Sequence, residues 1–227
     1  MRVEHIGDAI LYNGDCREVI PTLTGIDAAV TDPPYGIGFE YASHDDNLED
    51  WKALMLSVVP LLQSVAPFIV LPSCAVQRLG WWYENLPPEW VIAWHKGSPG
   101  HQSKVGFNDW EPHLSWGRPS RPMHDHFSTR CGFEPNGHPC PKPIEWANWL
   151  VSRAAPYGGT VLDCFMGSGT TGVSCIQLGR RFVGIERDPG YFDISCRRID
   201  AATRQPRLFA DHPGPKPTQL GLLDDAA

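Results

Sequence analysis

The stretch VTDPPYGIG, residues 30–38, combines an acid, two prolines and an aromatic residue directly after an apolar run. The Asp32 carboxylate and the carbonyls of Pro33 and Pro34 are hydrogen-bond acceptors, and proline brings no competing N–H. The Tyr35 ring beside them offers a flat apolar surface for stacking. Hydrogen-bond acceptors and a stacking surface therefore lie together where a predicted strand ends. The same residues also fit a Pro-Pro turn that ends a strand, with Tyr35 filling the core.

A second stretch, LDCFMGSGTTG, places Phe165, Gly167 and Gly169 between a predicted strand and a predicted helix. Glycines at such a junction let the backbone approach a ligand, with the helix N–H groups close by. Glu186 ends the next predicted strand, where a carboxylate can accept both hydroxyls of a ribose. The pair predicts a nucleoside-containing cofactor. No lysine follows the glycines, so this is not a phosphate loop, and a tight turn without a ligand is the alternative.

Apolar runs that alternate with helical segments predict an α/β domain with a mostly parallel sheet. The predicted strands are AILYNGD, IDAAVTD, PFIVLPS, EWVIAWHK, PHLSWG, GTVLDCFMGSG and RRFVGIERD. Three of these strands end in acids, namely Asp15, Asp32 and Glu186. Ligands in such sheets bind outside the carboxyl ends of the strands, so we expect these acids on the ligand side.

The predicted helices are NLEDWKALMLSVVPLLQSV, KPIEWANWLVSRAA, TTGVSCIQLG and YFDISCRRIDAAT. Asn47 is suited to cap the first helix, and Pro60 is expected to kink or divide it. Residues 97–137 are rich in Gly, Pro, Ser and His without periodicity, which predicts a long loop or small insertion. We predict one domain over residues 1–203 and a disordered, Pro-rich tail over residues 204–227.

The length, net charge and cysteine count restrict the class of protein. The 227 residues carry a net charge of −7, which argues against a generally basic nucleic-acid-binding surface but not against a local basic cleft. No apolar run approaches the roughly 20 residues of a membrane span, and the first residues show no secretory signal. Seven scattered cysteines indicate reduced thiols in the cytoplasm.

With DPPY at residues 32–35 and FMGSG at residues 165–169, the chain resembles the amino-group DNA methyltransferases that use S-adenosylmethionine. Three further stretches of the chain resemble segments of this family, namely YNGDCREVIPTL, HPCPKPIEWANWLV and LGRRFVGIERDPGYFDISCRRI. The DPPY motif comes first, as in the permuted subgroup often called the β class. The resemblance implies a Rossmann-like, seven-stranded, mainly parallel sheet with one antiparallel strand and helices on both faces.

The resemblance implies site-specific methyl transfer to the exocyclic amine of a flipped-out base in double-stranded DNA. Asp32 would accept one amine N–H and the Pro33 carbonyl the other, which localises the nitrogen lone pair and stabilises the developing positive charge. Pro34 would stiffen the turn, and Tyr35 would stack on the base. Asp in the first motif position favours adenine N6, because cytosine-N4 enzymes of the family more often carry Ser. Cytosine N4 is the alternative, followed by an RNA or a protein-amide substrate.

For S-adenosylmethionine, the resemblance implies that Glu186 binds the ribose hydroxyls and that Lys142 and His138 anchor the carboxylate. The full set of implied cofactor-binding residues is Asp15, Asp32, His138, Lys142, Asp163, Phe165, Gly167, Ser168, Gly169 and Glu186. Asp15 is equally suited to cap the helix that starts at CREVI. Cys140 and Pro141 stand where the family typically has Thr and Gln, which removes a hydroxyl contact.

Residues 97–137 occupy the place of the family's target-recognition region. The predicted DNA contacts there are Lys104, Arg118, Arg121 and Arg130, and a solvated loop with incidental charges is the alternative. Possible zinc ligands are His124, His126, Cys131, His138 and Cys140, but their spacing is not that of a standard finger, so no metal is predicted. The resemblance further implies a bacterial or phage-encoded, nucleoid-associated enzyme of a subgroup that often forms homodimers, and it leaves the oligomeric state open.

Overall fold

The computed structural model describes residues 1–36, 40–41, 44–45, 47–97, 106, 109–129 and 142–205. Its strands are β1 (Arg2–Ile6), β2 (Ala9–Asn13), β3 (Ala28–Val30), β4 (Glu40–Tyr41), β5 (His44–Asp45), β6 (Phe68–Pro72), β7 (Trp90–His95), β8 (Trp110–Gly117), β9 (His126–Ser128), β10 (Thr160–Asp163) and β11 (Arg181–Glu186). Its α-helices are α1 (Cys16–Val19), α2 (Leu48–Val65), α3 (Leu79–Asn85), α4 (Ile144–Ala154), α5 (Thr170–Gln177) and α6 (Pro189–Thr203). Short 3₁₀ turns cover Ile20–Thr22 and Val76–Arg78.

Among the described residues, the main sheet has nine strands in the order β1-β2-β11-β10-β3-β6-β8-β7-β9, and β4 pairs with β5 in a separate two-stranded sheet. Only β1 and β8 run antiparallel to their neighbours in the main sheet. The predicted α/β fold with a mainly parallel sheet is confirmed. The strand count differs from the predicted seven, because the exposed edge strand β1 and the three-residue β9 lack an apolar run.

Helices cover both faces of the sheet, so its central strands bury side chains on both sides. Val30 and Val161 share one cluster with residues of α4, α5 and α6. Ala29 and Leu162 share the opposite cluster with residues of α1, α2 and α3. Successive side chains on a strand point to opposite faces, which explains why these strands read as continuous apolar runs.

Helix α2 is continuous from Leu48 to Val65, although Pro60 lies inside it. Asn47 caps the helix as expected, since its side-chain oxygen accepts the Asp50 N–H at 2.9 Å. The buried side chains of this helix are Trp51, Met55, Val58, Val59 and Leu62. Pro60 is exposed, and packing of the buried face outweighs the lost backbone hydrogen bond. The expected division at Pro60 is therefore wrong.

The carboxyl ends of the parallel strands meet at one edge of the sheet, which we call the carboxyl edge. Asp32 follows β3, Asp163 ends β10 and Glu186 ends β11, and these three strands are neighbours. Strands β3 and β10 are distant in the chain but adjacent in the sheet, and Thr31 Oγ1 donates to Asp163 Oδ1 at 2.6 Å. A junction where the strand order changes is where open α/β sheets bind ligands.

Part of the predicted loop over residues 97–137 is sheet. Strand β8 lies between β6 and β7, with the side chains of residues 111–116 buried. This strand contains the predicted strand PHLSWG and starts two residues earlier, at Trp110, and Glu111, His113 and Ser115 are among its buried residues. Residues 98–105, 107–108 and 130–137 lie outside the described part of the chain, as do the last 22 residues of the predicted tail, 206–227.

Within the described residues, no helix is both long enough and apolar enough to span a membrane.

We expect Pro60→Ala to stabilise the protein. A proline inside a helix is about 3 kcal/mol less favourable than alanine, and local relaxation around Pro60 reduces the expected gain to roughly 1–2 kcal/mol. Urea unfolding measures the change in the free energy of unfolding. Gln63→Ala, also exposed on α2, is the control and should change it by less than about 0.5 kcal/mol. An unchanged or lower midpoint for Pro60→Ala contradicts the expectation.

Candidate functional site

The DPPY turn (residues 32–35) starts where β3 ends, and a half-buried arginine binds its backbone. Arg78 Nη2 donates to the carbonyls of Tyr35, at 3.0 Å, and of Gly36, at 2.7 Å. The guanidinium lies 4.5 Å from the ring centroid of Trp51 on α2. Gly36 has a φ of +62°, and a Cβ there would lie 2.7 Å from the Trp51 Cβ, so only glycine fits. The chain therefore leaves the DPPY turn in a fixed direction.

Cys74 supports the same turn from the end of β6. Its Sγ donates to the Pro34 carbonyl at 3.6 Å and to the Pro72 carbonyl at the same distance. Cys74 is the non-glycine residue with a positive φ, +70°, in the described part of the chain. Such a conformation is unfavourable for a residue with a side chain and often occurs beside functional groups. Burial raises the pKa of the Cys74 thiol well above its usual value, so the thiol is neutral.

Asp32 lies half-buried beside Lys142, with 3.4 Å between its Oδ1 and the Lys142 Nζ. This Oδ1 is itself buried and accepts no hydrogen bond from any described residue. Burial raises the pKa of Asp32, against the opposing influence of the Lys142 charge. A buried oxygen with unused lone pairs is ready to accept an N–H from a bound molecule.

Tyr35, Glu111 and Lys142 form a connected group next to Asp32. The Tyr35 hydroxyl donates to Glu111 Oε1 at 2.5 Å, and Lys142 Nζ donates to the Tyr35 oxygen. Lys142 Nζ also lies 3.2 Å from Glu111 Oε1. Lys142 thus has two hydrogen-bond acceptors, the Tyr35 oxygen and Glu111, and Asp32 is a second anionic partner at ion-pair distance.

The electrostatics of this group keep Lys142 and Glu111 charged. Burial is the largest single influence and disfavours the charged form of each, but the neighbouring charges and hydrogen bonds together outweigh it. Asp32 and Glu111 thus raise the pKa of Lys142, and Lys142 contributes to lowering the pKa of Glu111 to about 2. Burial also raises the pKa of Tyr35 well above its usual value, so its hydroxyl remains a donor.

His113 backs this group from within β8. Burial lowers its pKa to about 4, so the ring is neutral at ordinary pH. Its Nε2 accepts the Trp146 indole N–H at 2.7 Å, which leaves Nδ1 to donate to the Glu111 carbonyl at 3.2 Å. The ring therefore fixes β8 against α4 beside Lys142.

Glu186, at the end of β11, belongs to a second group of residues at the carboxyl edge, next to the glycine turn (residues 165–169). Its Oε2 accepts the Gly167 N–H at 2.8 Å, and its Oε1 accepts the Asp188 N–H at 2.7 Å. Burial raises the pKa of Glu186, and these backbone N–H groups act in the opposite direction. Each carboxylate oxygen retains a further lone pair, so Glu186 can still accept the two hydroxyls of a ribose.

The glycine turn connects β10 to α5 and serves packing as well as ligand approach. Gly169 has a φ of +84°, and a Cβ there would lie 2.9 Å from the Ser195 Cβ on α6. The buried Ser168 hydroxyl accepts from Arg198 Nη1 at 3.0 Å. Ser168 and Gly169 therefore contact α6, whereas the Gly167 N–H meets Glu186 and the half-buried Phe165 lies at the carboxyl edge.

Asp163 is buried between the two halves of the site. Its Oδ1 accepts from Thr31 Oγ1 at 2.6 Å and from the Phe165 N–H at 3.1 Å. Burial raises its pKa to about 7, although these hydrogen bonds favour the ionised form. Its observed contacts make Asp163 a link between β3 and the glycine turn.

Asp15 caps α1, which was one of the two expected roles. Its Oδ1 accepts the Arg17 N–H at 2.9 Å, and the Arg17 side chain pairs with it. The Arg17 interaction lowers the pKa of Asp15. The position is close to Glu186, since the Gly14 N–H donates to the Glu186 carbonyl at 3.1 Å.

Two of the predicted DNA-contacting residues, Arg118 and Arg121, lie away from the DPPY turn. Because β8 runs antiparallel, Arg118 follows it at the edge opposite to the carboxyl edge, where the Arg118 N–H donates to the Pro67 carbonyl. The Arg121 N–H donates to the Arg153 carbonyl at the end of α4. The other predicted residues, Lys104, Arg130 and His138, lie outside the described residues.

Two of the five possible zinc ligands, His124 and His126, lie in the described part of the chain. His124 and His126 are exposed on either side of Asp125, and Cys131, His138 and Cys140 are not described. Among the described residues, no group of three His, Cys, Asp or Glu side chains is arranged to hold a metal ion.

Glu111, Arg78 and Cys74 were not found from the sequence. Glu111 offered one signal, since it is a lone acid beside apolar residues in a strand that ends the parallel run. Arg78 and Cys74 offered none, because both act on the backbone of a distant turn rather than through a motif of their own.

A protein-family model described as DNA methylase, of the N6/N4 type, matches residues 81–197, just over half of the 227 residues. The matched segment includes Lys142, the glycine turn and Glu186, and it begins after the DPPY turn. The putative methylase YubD of Escherichia coli (strain K12) is 27% identical over 214 residues, covering 84% of this chain and 90% of the relative.

Two solved structures share the fold. The PvuII DNA methyltransferase (cytosine-N4-specific) has a TM-score of 0.68 at 15% identity, covering 86% of this chain and 87% of that chain. The M1.HpyAVI structure, a complex with S-adenosylmethionine, has a TM-score of 0.60 at 25% identity, covering 84% of this chain and 98% of that chain. At 15% identity, the likeness to the PvuII enzyme shows the fold alone.

Asp163 is expected to make stability depend on pH. Its pKa is about 7 in the folded protein, against roughly 3.9 in an unfolded chain. Between these values the folded state binds more protons, so the free energy of unfolding falls as pH rises. Asp163→Asn removes this pH dependence. From pH 5 to pH 7, the free energy of unfolding of the wild type should fall by roughly 1–3 kcal/mol more than that of the variant.

Urea unfolding at both pH values measures that difference. The control is Asp125→Asn, at an exposed position, which should keep the wild-type dependence. Parallel pH dependences for wild type and Asp163→Asn would show that Asp163 titrates normally.

Proposed function

This chain belongs to the N6/N4 family of DNA methylases, and we propose that it transfers the methyl group of S-adenosylmethionine to the N6 amine of an adenine in DNA. The observation that carries the proposal is the meeting of two turns on neighbouring strands. The DPPY turn follows β3 and the glycine turn follows β10, and the Thr31–Asp163 hydrogen bond joins them. An acceptor for an amine and a carboxylate for a ribose therefore share one edge of the sheet.

The cofactor half fits a nucleoside. Glu186 presents a half-buried carboxylate whose orientation is fixed by two backbone N–H groups, and Phe165 lies at the same edge. The related M1.HpyAVI structure contains S-adenosylmethionine, which supports this assignment. When bound, S-adenosylmethionine supplies a methyl group already activated by a positively charged sulfur.

The DPPY turn makes the target amine more nucleophilic. An exocyclic amine is a weak nucleophile, because its lone pair is delocalised into the base. Asp32 Oδ1 accepts one N–H and the Pro33 carbonyl the other, which localises the lone pair on nitrogen. The amine held by Asp32 and Pro33 would accept the methyl group of bound S-adenosylmethionine, and the electron pair of the broken C–S bond would stay on sulfur. The surplus proton passes to Asp32, whose raised pKa makes it a better acceptor than an ordinary aspartate.

Tyr35 provides the surface for the base. Its hydroxyl is bound by Glu111 and Lys142, so the ring is held in one orientation before a base arrives. A target base must leave the duplex to reach Asp32, and stacking on a fixed ring offsets part of the unstacking energy of a few kcal/mol.

Double-stranded DNA is the proposed substrate, and Lys104 and Arg130 stay proposed contacts. The position of Arg118 and Arg121 opposite the carboxyl edge argues against their touching the target base. His138 and Lys142 stay proposed cofactor contacts. The proposed homodimer is tested by light scattering at several protein concentrations.

We expect Asp32→Ala to abolish methyl transfer. Loss of the acceptor for the amine should lower kcat by at least about 100-fold, because the charge that develops on nitrogen is no longer stabilised. Transfer of labelled methyl groups to plasmid DNA measures the rate, and calorimetry measures cofactor affinity, which should change by less than about threefold. Asp125→Ala, at an exposed position, is the control. Full activity in Asp32→Ala would refute the assignment.

The modified base is identified by mass spectrometry of nucleosides from DNA treated with the wild-type protein. N6-methyladenine is the expected product. N4-methylcytosine would keep the family and the mechanism but overturn the choice of base.

Glu186→Ala should weaken binding of S-adenosylmethionine roughly 10- to 100-fold, since charged hydrogen bonds contribute about 1.5–3 kcal/mol. Glu186→Gln retains one carbonyl oxygen and should lie between Ala and wild type. Thermal melting of both variants separates a binding defect from loosening of the Gly167 and Asp188 backbone. Wild-type affinity in Glu186→Ala would place the ribose elsewhere.

A further inference from the structure

Glu111 is a buried acid that touches the DPPY turn from a different part of the sheet. Its side chain is 11% exposed, and the residue lies near the start of β8, the antiparallel strand. Glu111 Oε1 accepts from the Tyr35 hydroxyl at 2.5 Å and faces Lys142 Nζ at 3.2 Å. Glu111 Oε2 lies 3.9 Å from Lys96 Nζ. A residue near the start of a parallel strand would lie at the edge opposite to the carboxyl edge. Glu111 lies at the carboxyl edge because β8 is antiparallel.

Lys142 is shared unequally between two carboxylates. The Lys142–Asp32 separation of 3.4 Å is longer than the 3.2 Å separation from Glu111, and Asp32 Oδ1 has no hydrogen-bond partner among the described residues. Lys142 is a hydrogen-bond donor to both Glu111 and the Tyr35 oxygen. The charge of Asp32 raises the pKa of Lys142 more than that of Glu111 does, but the hydrogen bonds of the ammonium go to Glu111 and Tyr35.

We infer that Glu111 is a positioning residue: it holds the Lys142 ammonium and the Tyr35 hydroxyl, and so leaves Asp32 Oδ1 free to accept the N–H of the target amine. This inference rests on the proposed function. Without the Glu111 charge, Lys142 has Asp32 as its remaining anionic partner and moves onto it. The acceptor needed by the amine would then already be occupied.

The groups around Asp32 set the sign of the expected effect. Those that face it are Tyr35, Cys74, Glu111, Lys142 and Asp163, while Arg78 lies behind the turn. Tyr35 and Cys74 are neutral, because burial raises both pKa values. Glu111 raises the pKa of Asp32, and Lys142 lowers it. Lys96 and the neutral His113 act on Glu111 from β7 and β8.

The test is Glu111→Gln, which keeps the shape and removes the charge. At its optimum pH, the variant should show a kcat reduced roughly 10-fold or more, because the acceptor is occupied by Lys142. The acid-side inflection of kcat/KM should move to lower pH by roughly half a unit or more, since Asp32 now ionises more readily. A lower maximum together with a wider acid range is not expected from a merely structural defect.

Two variants isolate the charge. Glu89→Gln removes an exposed acid and should leave both the maximum and the inflection unchanged. Tyr35→Phe removes the hydroxyl but keeps the Glu111 charge, so its kcat should fall without movement of the inflection to lower pH. An unmoved or higher inflection in Glu111→Gln would overturn the inference.

A direct titration separates this inference from the proposed function. Carbon-13 NMR of the Asp32 carboxyl, assigned with Asp32→Asn, should show a lower pKa in Glu111→Gln than in wild type. This readout needs no substrate, so it holds even for a protein that transfers no methyl group to DNA. If Glu111→Gln does not fold, Glu111→Asp, which keeps the charge but shortens the side chain, should show a smaller shift in the same direction. An unchanged Asp32 pKa in the folded variants would refute the role of Glu111.

Discussion

The buried ammonium of Lys142 is the interaction on which the arrangement of the site depends. A charge removed from water is tolerated only where opposite charges and hydrogen bonds replace its solvation. Asp32, Glu111 and the Tyr35 oxygen provide that replacement from the turn after β3 and from the start of β8. These elements must meet at the carboxyl edge for Lys142 to be buried at all. The antiparallel direction of β8 follows from the same requirement, since only a reversed strand begins at that edge.

The two halves of the site are built differently and joined at one point. The amine half is a network of side chains held by ionic contacts, whereas the cofactor half consists of backbone N–H groups arranged around Glu186. The Thr31–Asp163 hydrogen bond connects them across neighbouring strands. Its acceptor is a fully buried carboxyl group with a pKa near 7, so the junction between the halves carries an electrostatic penalty at neutral pH.

The sequence was informative wherever chemistry and structure lie in consecutive residues. The DPPY turn, the glycine turn and Glu186 could be predicted because each is marked by the end of an apolar run. Glu111 and Arg78 could not, since each looks like an isolated polar residue and acts on a turn that is distant in the chain. The direction of a strand was equally hidden, and the reversal of β8 carries Arg118 away from the site. Edge strands β1 and β9 were missed because they bury too little to leave a pattern.

Glu186 has a consequence for how the protein responds to its ligand. One of its oxygens holds the glycine turn and the other holds the chain where α6 begins. The Glu186 carboxylate, which is proposed to bind the ribose, thus also connects two loops by hydrogen bonds. Ligand occupancy and local order are then thermodynamically linked, because a molecule that steadies the Glu186 carboxylate also suppresses opening of both loops. Protection of the Gly167 and Asp188 amides from hydrogen exchange would rise with ligand concentration, which makes these two amides internal reporters of binding.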